Sequence, residues 1–185
     1  DLGNTVWCVD KDKNKIDILN NNKIPIYEPG LREIVSKNYN SKRLKFTTDF
    51  SLAIKNSDIV SIHTPLTSET ENMIDEFFFN SVKPGMIIIN TARGSIIDIS
   101  ALRIAMKEKI IKGAGLDVLP IEPSDDSQQL LVEWENNEKW LRGRLIVTPH
   151  VAFYSPDALK EMRIKASHEA KRVLEGNSAK NVVNL

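Results

Sequence analysis

An arginine in T-A-R-G (Arg93), a glutamate in I-E-P (Glu122) and a histidine in T-P-H (His150) each stand shortly after an apolar run. A guanidinium can grip a carboxylate through two parallel hydrogen bonds. An imidazole can protonate a carbonyl oxygen as hydride arrives at the carbon, and can take the proton back in the reverse direction. A carboxylate favours the charged imidazole and holds its ring. That combination suits a substrate with a carboxylate beside a carbonyl. Singly, each residue has a structural alternative: Arg93 as a surface arginine beside a helix start, His150 as a histidine packed after a strand.

These residues must be placed by the elements that precede them. Short apolar runs alternate with helix-period stretches throughout, the pattern of an α/β, doubly wound parallel sheet. The runs predict strands at Thr5 to Val9, Leu44 to Thr47, Asp58 to His63, Met86 to Asn90, Ala114 to Val118 and Leu145 to Thr148. Helices are expected at Lys13 to Asn21, Gly30 to Lys37, Ser51 to Lys55, Glu71 to Val82 and Ser100 to Lys107. A last helix is capped by Ser155, carries Pro156 in its first turn and ends at Gly176. Its apolar positions Leu159, Met162, Ala166, Ala170 and Val173 recur every three or four residues, so one face should pack inward. The polar stretch Ser124 to Arg142, with Trp134 and Trp140, is long for a connection and is expected to be a part-helical surface insertion. The basic stretch Lys37 to Lys45 reads as a solvated loop. Arg93 and His150 then fall at the carboxyl edge of the sheet, where ligands bind in open α/β folds.

The totals narrow the function classes. At 185 residues the chain can bury a sizeable core. Lys+Arg and Asp+Glu both number 25, so no net basic field points to nucleic acid or an anionic membrane. No apolar run reaches membrane-spanning length. The one cysteine, Cys8, excludes an intrachain disulfide framework, fits a cytoplasmic location, and is expected in the core of its strand. No Cys/His spacing indicates a metal site. His63 and His168 have no partner pattern.

The first strand ends in Asp10. An acidic side chain at that place in dinucleotide-binding domains accepts hydrogen bonds from the adenine ribose, and its charge favours NAD over NADP. The glycine-rich phosphate loop normally lies about 20 residues upstream, which here would fall before Asp1. The expectation is therefore a Rossmann-type domain lacking its first strand and G-x-G-x-x-G turn, a piece of something longer. In strand order 3-2-1-4-5-6 the first strand is central, so the strands ending at Val9 and beginning at Asp58 should be left on either side of a gap.

From Ile59 to Asn184 the chain resembles the NAD-binding domain of the D-isomer-specific 2-hydroxyacid dehydrogenases. The resemblance is carried by H-T-P-L-T-S-E-T at His63, K-P-G-M-I-I-I-N-T-A-R-G-S at Lys83, G-A-G-L-D-V at Gly113, I-E-P at Ile121 and T-P-H at Thr148. Glu122 lies 29 residues after Arg93, in keeping with the family's spacing. The run A-F-Y-S, the later E-M-R and the closing N-V-V-N are similar to the branch holding the C-terminal-binding-protein corepressors. Residues 1–60, through V-W-C-V-D-K-D-K-N-K-I, K-I-P-I-Y-E-P-G-L and R-L-K-F-T-T-D, resemble instead the NAD-binding domain of UDP-glucose and GDP-mannose dehydrogenases. The chain would thus be one NAD-binding domain over 1–185, a nucleotide-sugar-dehydrogenase-like half over 1–60 and a 2-hydroxyacid-dehydrogenase-like half over 61–185, with no substrate domain.

The resemblance implies hydride transfer between NAD and a D-2-hydroxy acid or 2-oxo acid, with Arg93, Glu122 and His150 catalytic. It places Thr64, Pro65, Thr91, Ala92, Arg93, Asp117 and His150 along the cofactor. Asp117 as a bare strand-end aspartate is equally suited to a turn. Lys15, five residues after Asp10, matches a ribose-contacting position in nucleotide-sugar dehydrogenases, and is otherwise a solvated helix lysine. Phe153 and Tyr154 are candidates for the substrate pocket. A homodimer is implied. Two other functions stay open: a nucleotide-sugar dehydrogenase, and a non-catalytic NAD-binding or dimerisation module of the corepressor type.

Overall fold

The computed structural model describes residues 3–26 and 28–180. It divides into two compact units, 1–147 and 148–185. The first holds six strands, β1 (Val6–Val9), β2 (Leu44–Thr47), β3 (Ile59–Ile62), β4 (Met86–Asn90), β5 (Ile111–Leu116) and β6 (Leu145–Val147). Between them lie the helices α1 (Lys13–Asn20), α2 (Leu31–Asn40), α3 (Phe50–Lys55), α4 (Glu76–Ser81), α5 (Ile99–Lys107) and α6 (Gln129–Glu135), plus two short 3-10 turns. All strand pairs are parallel, as helical crossovers require. The strand-helix alternation read from the sequence is the fold.

The strands form two sheets. One is β1-β2 and the other is β3-β4-β5-β6. β1 and β3 each pair on one side only among the described residues, which matches the gap expected between them. Apolar side chains on these edges are open to solvent, with Ile59 56% and Val6 45% exposed. Cys8, expected in the core, is therefore only half-buried, and desolvation still pushes its thiol up. The β1-β2 sheet is tied to the rest through α3, whose Ala53 and Ile54 are buried, and through the Phe50 and Phe78 rings, 5.9 Å apart.

The core belongs to the larger sheet. β4 buries Met86, Ile88 and Asn90 in alternation, with Ile87 and Ile89 half-buried on its other face. α5 packs Ala101, Leu102, Ala105 and Met106 against it, one stripe of a helix started by Asp98, whose carboxylate accepts from Ser100 N and Ala101 N. α4 starts five residues later than its pattern suggests. Ile74 N donates to Ile96 O at 3.0 Å and Asp98 N to Ile74 O at 3.0 Å, a bridge that takes this stretch before Asp75 caps the helix.

Three other expectations are corrected. The 124–142 stretch is not a surface insertion: Leu130, Leu131 and Leu141 are buried, and Trp134 and Trp140 pack on the core. The Lys37 to Lys45 stretch is not a loop, since it runs from the end of α2 into β2. In the second unit, α7 (Pro156–Leu174) has its expected Ser155 cap on Ala158 N at 3.0 Å, yet none of its residues is buried. Its apolar stripe is not packed inward: Leu159 is half-buried and Met162 is 54% exposed, because this unit offers no second helix or strand among the described residues to cover it.

Candidate functional site

β3 and β4 end side by side, with Ile62 in register with Asn90. The segments that leave them line one cleft of about 510 Å³, made by His63, Thr64, Pro65, Leu66, Thr91, Ala92 and Arg93. Every cofactor position expected after these two strands is therefore brought together. The Thr64 hydroxyl is closed off from solvent and has no hydrogen-bond partner among the described residues. A buried hydroxyl without a partner is costly, and here it stands in the lining of a cleft. His63, which the sequence left without a role, lies in the same cleft with Nε2 hydrogen-bonded to Ser61 Oγ at 2.8 Å.

The turn that carries Arg93 is held by a residue that sequence reasoning missed. Asn90 is 1% exposed; its Nδ2 donates to Arg93 O at 2.9 Å and its Oδ1 accepts from Ala92 N at 3.0 Å. The signal was an amide closing an otherwise apolar run, a polar group at a buried place that must find partners. Arg93 itself is exposed and extended, and Nη1 donates to Ala92 O at 2.6 Å. Its guanidinium stays accessible for a carboxylate.

Gly94 was a second omission. A Cβ there would stand 1.9 Å from the carbonyl carbon of Leu119, so the Arg93 turn touches the loop of Glu122 backbone to backbone. In that loop Glu122 Oε1 accepts from Leu119 N at 2.7 Å, and the Glu122-Pro123 peptide is cis. Asp117 is buried just beyond β5, and its N–H donates to Asn90 O at 2.9 Å. Asn90 thus joins the Arg93 turn to the Asp117 strand end.

Asp10 sits after β1. Its Oδ2 is 2.5 Å from Lys15 Nζ and its Oδ1 accepts from Asp12 N at 2.9 Å. The hydrogen bond from Lys15, then that from Asp12, holds the Asp10 carboxyl below its ordinary range. Lys15, half-buried on α1, is therefore joined to Asp10.

His150, Phe153 and Tyr154 belong to the second unit. His150 has φ +53°, uncommon for a residue with a Cβ, and its N–H donates to Thr148 O at 3.0 Å. The His150 and Phe153 rings meet edge to face, 6.4 Å apart. All three side chains are exposed. The described residues contain no group of three or more His, Cys, Asp or Glu placed to hold a metal ion.

A family model described as the D-isomer specific 2-hydroxyacid dehydrogenase, NAD binding domain, matches residues 23–152. The chain belongs to this family. Among its relatives, a glyoxylate reductase of Thermococcus litoralis is 36% identical over 135 residues, which is 73% of this chain and 34% of that protein. The solved D-isomer specific 2-hydroxyacid dehydrogenase of Lactobacillus delbrueckii ssp. bulgaricus, in NAD complexed form, is 33% identical with TM-score 0.63, covering 86% of this chain and 47% of that one. D-lactate dehydrogenase of Lactobacillus jensenii with NAD+ is 30% identical with TM-score 0.67, covering 98% and 48%. The chain spans about a third of that curated relative and about half of those solved chains. The family match begins at residue 23 and so includes much of the part that resembles nucleotide-sugar dehydrogenases. Neither that likeness nor the corepressor branch gains support from these relatives. Part of each rests outside the described residues, on Tyr27 and on the closing N-V-V-N respectively.

Proposed function

We propose that this chain is the cofactor-binding part of an NAD-dependent D-2-hydroxyacid dehydrogenase, acting on a small 2-oxo or 2-hydroxy acid. The observation that carries the proposal is the cleft at the ends of β3 and β4, with a buried Thr64 hydroxyl that has no hydrogen-bond partner among the described residues and an accessible Arg93 guanidinium. NAD, when bound, would supply or receive the hydride. Asp10, with Lys15 beside it, would accept from the adenine ribose; Thr64, Pro65, Thr91, Ala92 and Asp117 would hold the remainder. Arg93 orients the substrate carboxylate, and His150 gives a proton to the keto oxygen in reduction and removes one from the hydroxyl in oxidation. Glu122 favours the charged imidazole. Phe153 and Tyr154 are assigned to the substrate side chain.

The corepressor-like reading rests on A-F-Y-S and E-M-R, and on the closing N-V-V-N, which lies outside the described residues. The Asp10-Lys15 pair fits the nucleotide-sugar reading too, but it also fits the leading one. A second copy of the chain is the proposed protein partner and the cytoplasm the proposed location; no helix among the described residues is long and apolar enough to cross a membrane.

The test is hydride transfer from NADH to a panel of 2-oxo acids by the full chain as the cell makes it. Arg93→Leu should raise KM for the 2-oxo acid about 100-fold, roughly the 3 kcal/mol of two charge-assisted hydrogen bonds. His150→Ala should abolish turnover with NADH binding retained. Oxidation of UDP-glucose with no activity on any 2-oxo acid would overturn the proposal, as would NAD binding without turnover of either class.

A further inference from the structure

We propose that Gln128 is a positioning residue that fixes the 119–122 loop, and through it the Glu122 carboxylate, for the acid/base step; the inference rests on the role given to Glu122 above. Gln128 is 3% exposed, and its Nε2 donates to Ile121 O at 3.2 Å, the carbonyl immediately before Glu122. Its main chain is anchored where α6 begins: Leu131 N donates to Gln128 O at 2.8 Å, and Leu130 and Leu131 are buried. The amide therefore connects the core to the peptide that carries Glu122. At Leu119 and Pro120 the same loop lies against Gly94, where no side chain fits. Its interior is closed by the bond from Leu119 N to Glu122 Oε1.

The Gln128 amide is only half satisfied. The Gln128 Oε1 is closed off from solvent with no hydrogen-bond partner among the described residues. An apolar side chain of similar length would fill the same volume without burying the unpaired Oε1. What it would lose is the bond to Ile121 O. The structure thus keeps a costly group whose one side-chain bond fixes the Glu122 loop.

The experiment compares Gln128→Met and Glu122→Gln in the full chain as the cell makes it, with glyoxylate and NADH as the probes. It records the pH dependence of kcat/KM for glyoxylate, the KM for NADH and the melting temperature. Reduction needs the acid protonated, so rate falls as pH rises through that group's pKa, and a well-placed carboxylate keeps this limb at higher pH. Gln128→Met should leave melting and the NADH KM near those of the parent, and move the limb down by about half a pH unit or more, a shift of roughly threefold in the proton equilibrium. Glu122→Gln should move it further in the same direction. A limb displaced by Glu122→Gln but unmoved by Gln128→Met would overturn the positioning role and leave that of Glu122 standing. A limb unmoved by Glu122→Gln would overturn the role of Glu122 and the present inference with it. Should Gln128→Met not fold, Gln128→Asn, one methylene too short for Ile121 O, is judged by the same criteria.

Discussion

Asp10 is the side chain proposed to accept from the adenine ribose. Lys15 Nζ and Asp12 N both bond its carboxylate, which holds its pKa below the ordinary range and favours the charged form. A fixed negative charge repels a ribose 2′-phosphate. Asp10→Ser should lower the ratio of kcat/KM with NADH to that with NADPH by tenfold or more, about 1.4 kcal/mol. A ratio that does not change would remove Asp10 from the ribose site. Asp10 was legible in the sequence because it closes an apolar run. Its ion pair with Lys15 was not, since it depends on which side chains the first turn of α1 brings back over the strand end.

At the scale of elements, the site depends on how closely two loops approach. Gly94→Ala would drive a methyl group into the Leu119 backbone, so the 119–122 loop must move. Overpacking of this kind costs about 1–3 kcal/mol, and calorimetry should show the melting temperature falling by roughly 2–4 °C for each kcal/mol. A variant that melts like the parent would show that the loop yields freely. α6 is fastened to α5 by Arg103, whose Nε and Nη2 donate to Glu133 Oε2 and Oε1 at 2.8 and 2.7 Å, with Lys107 Nζ at 3.0 Å from the same carboxylate. Arg103 first, then Lys107, lowers the Glu133 pKa against burial, which raises it. A folded pKa below the unfolded value of about 4.3 stabilises the protein above that pH, and the benefit disappears as pH falls through the folded pKa. Glu133→Gln should cost about 1–3 kcal/mol at pH 7, with the difference from the parent shrinking in denaturant titrations below about pH 4. An equal deficit at pH 7 and pH 3 would mean that packing, not charge, holds this contact.

In the whole molecule, order is distributed unevenly. β4 is paired on both sides and Ile88 is fully buried, whereas among the described residues β1 pairs with β2 alone and no residue of either strand is buried. Local opening needs less free energy where fewer apolar contacts are broken. Amide exchange should be slowest in β4 and β5 and faster by orders of magnitude in β1 and β2. Equal protection across both sheets would show that the two open as one cooperative unit.

The alternation of strands and helices, most strand positions and the separation of β1 from β3 were legible in the sequence, because periodicity and caps are local properties of the chain; Arg93, Glu122 and His150 were singled out there by motif and spacing. The tertiary structure alone decided that the 124–142 stretch contributes Leu130, Leu131 and Leu141 to the core, that Asn90 holds the Arg93 turn, and that Gly94 and Gln128 clamp the loop of Glu122. It also decided that the stripe on α7 is not buried in its own unit. Each of these depends on a residue distant in sequence filling, or failing to fill, the space beside it. A polar stretch such as 124–142 reads as surface until the core shows which of its few leucines are enclosed.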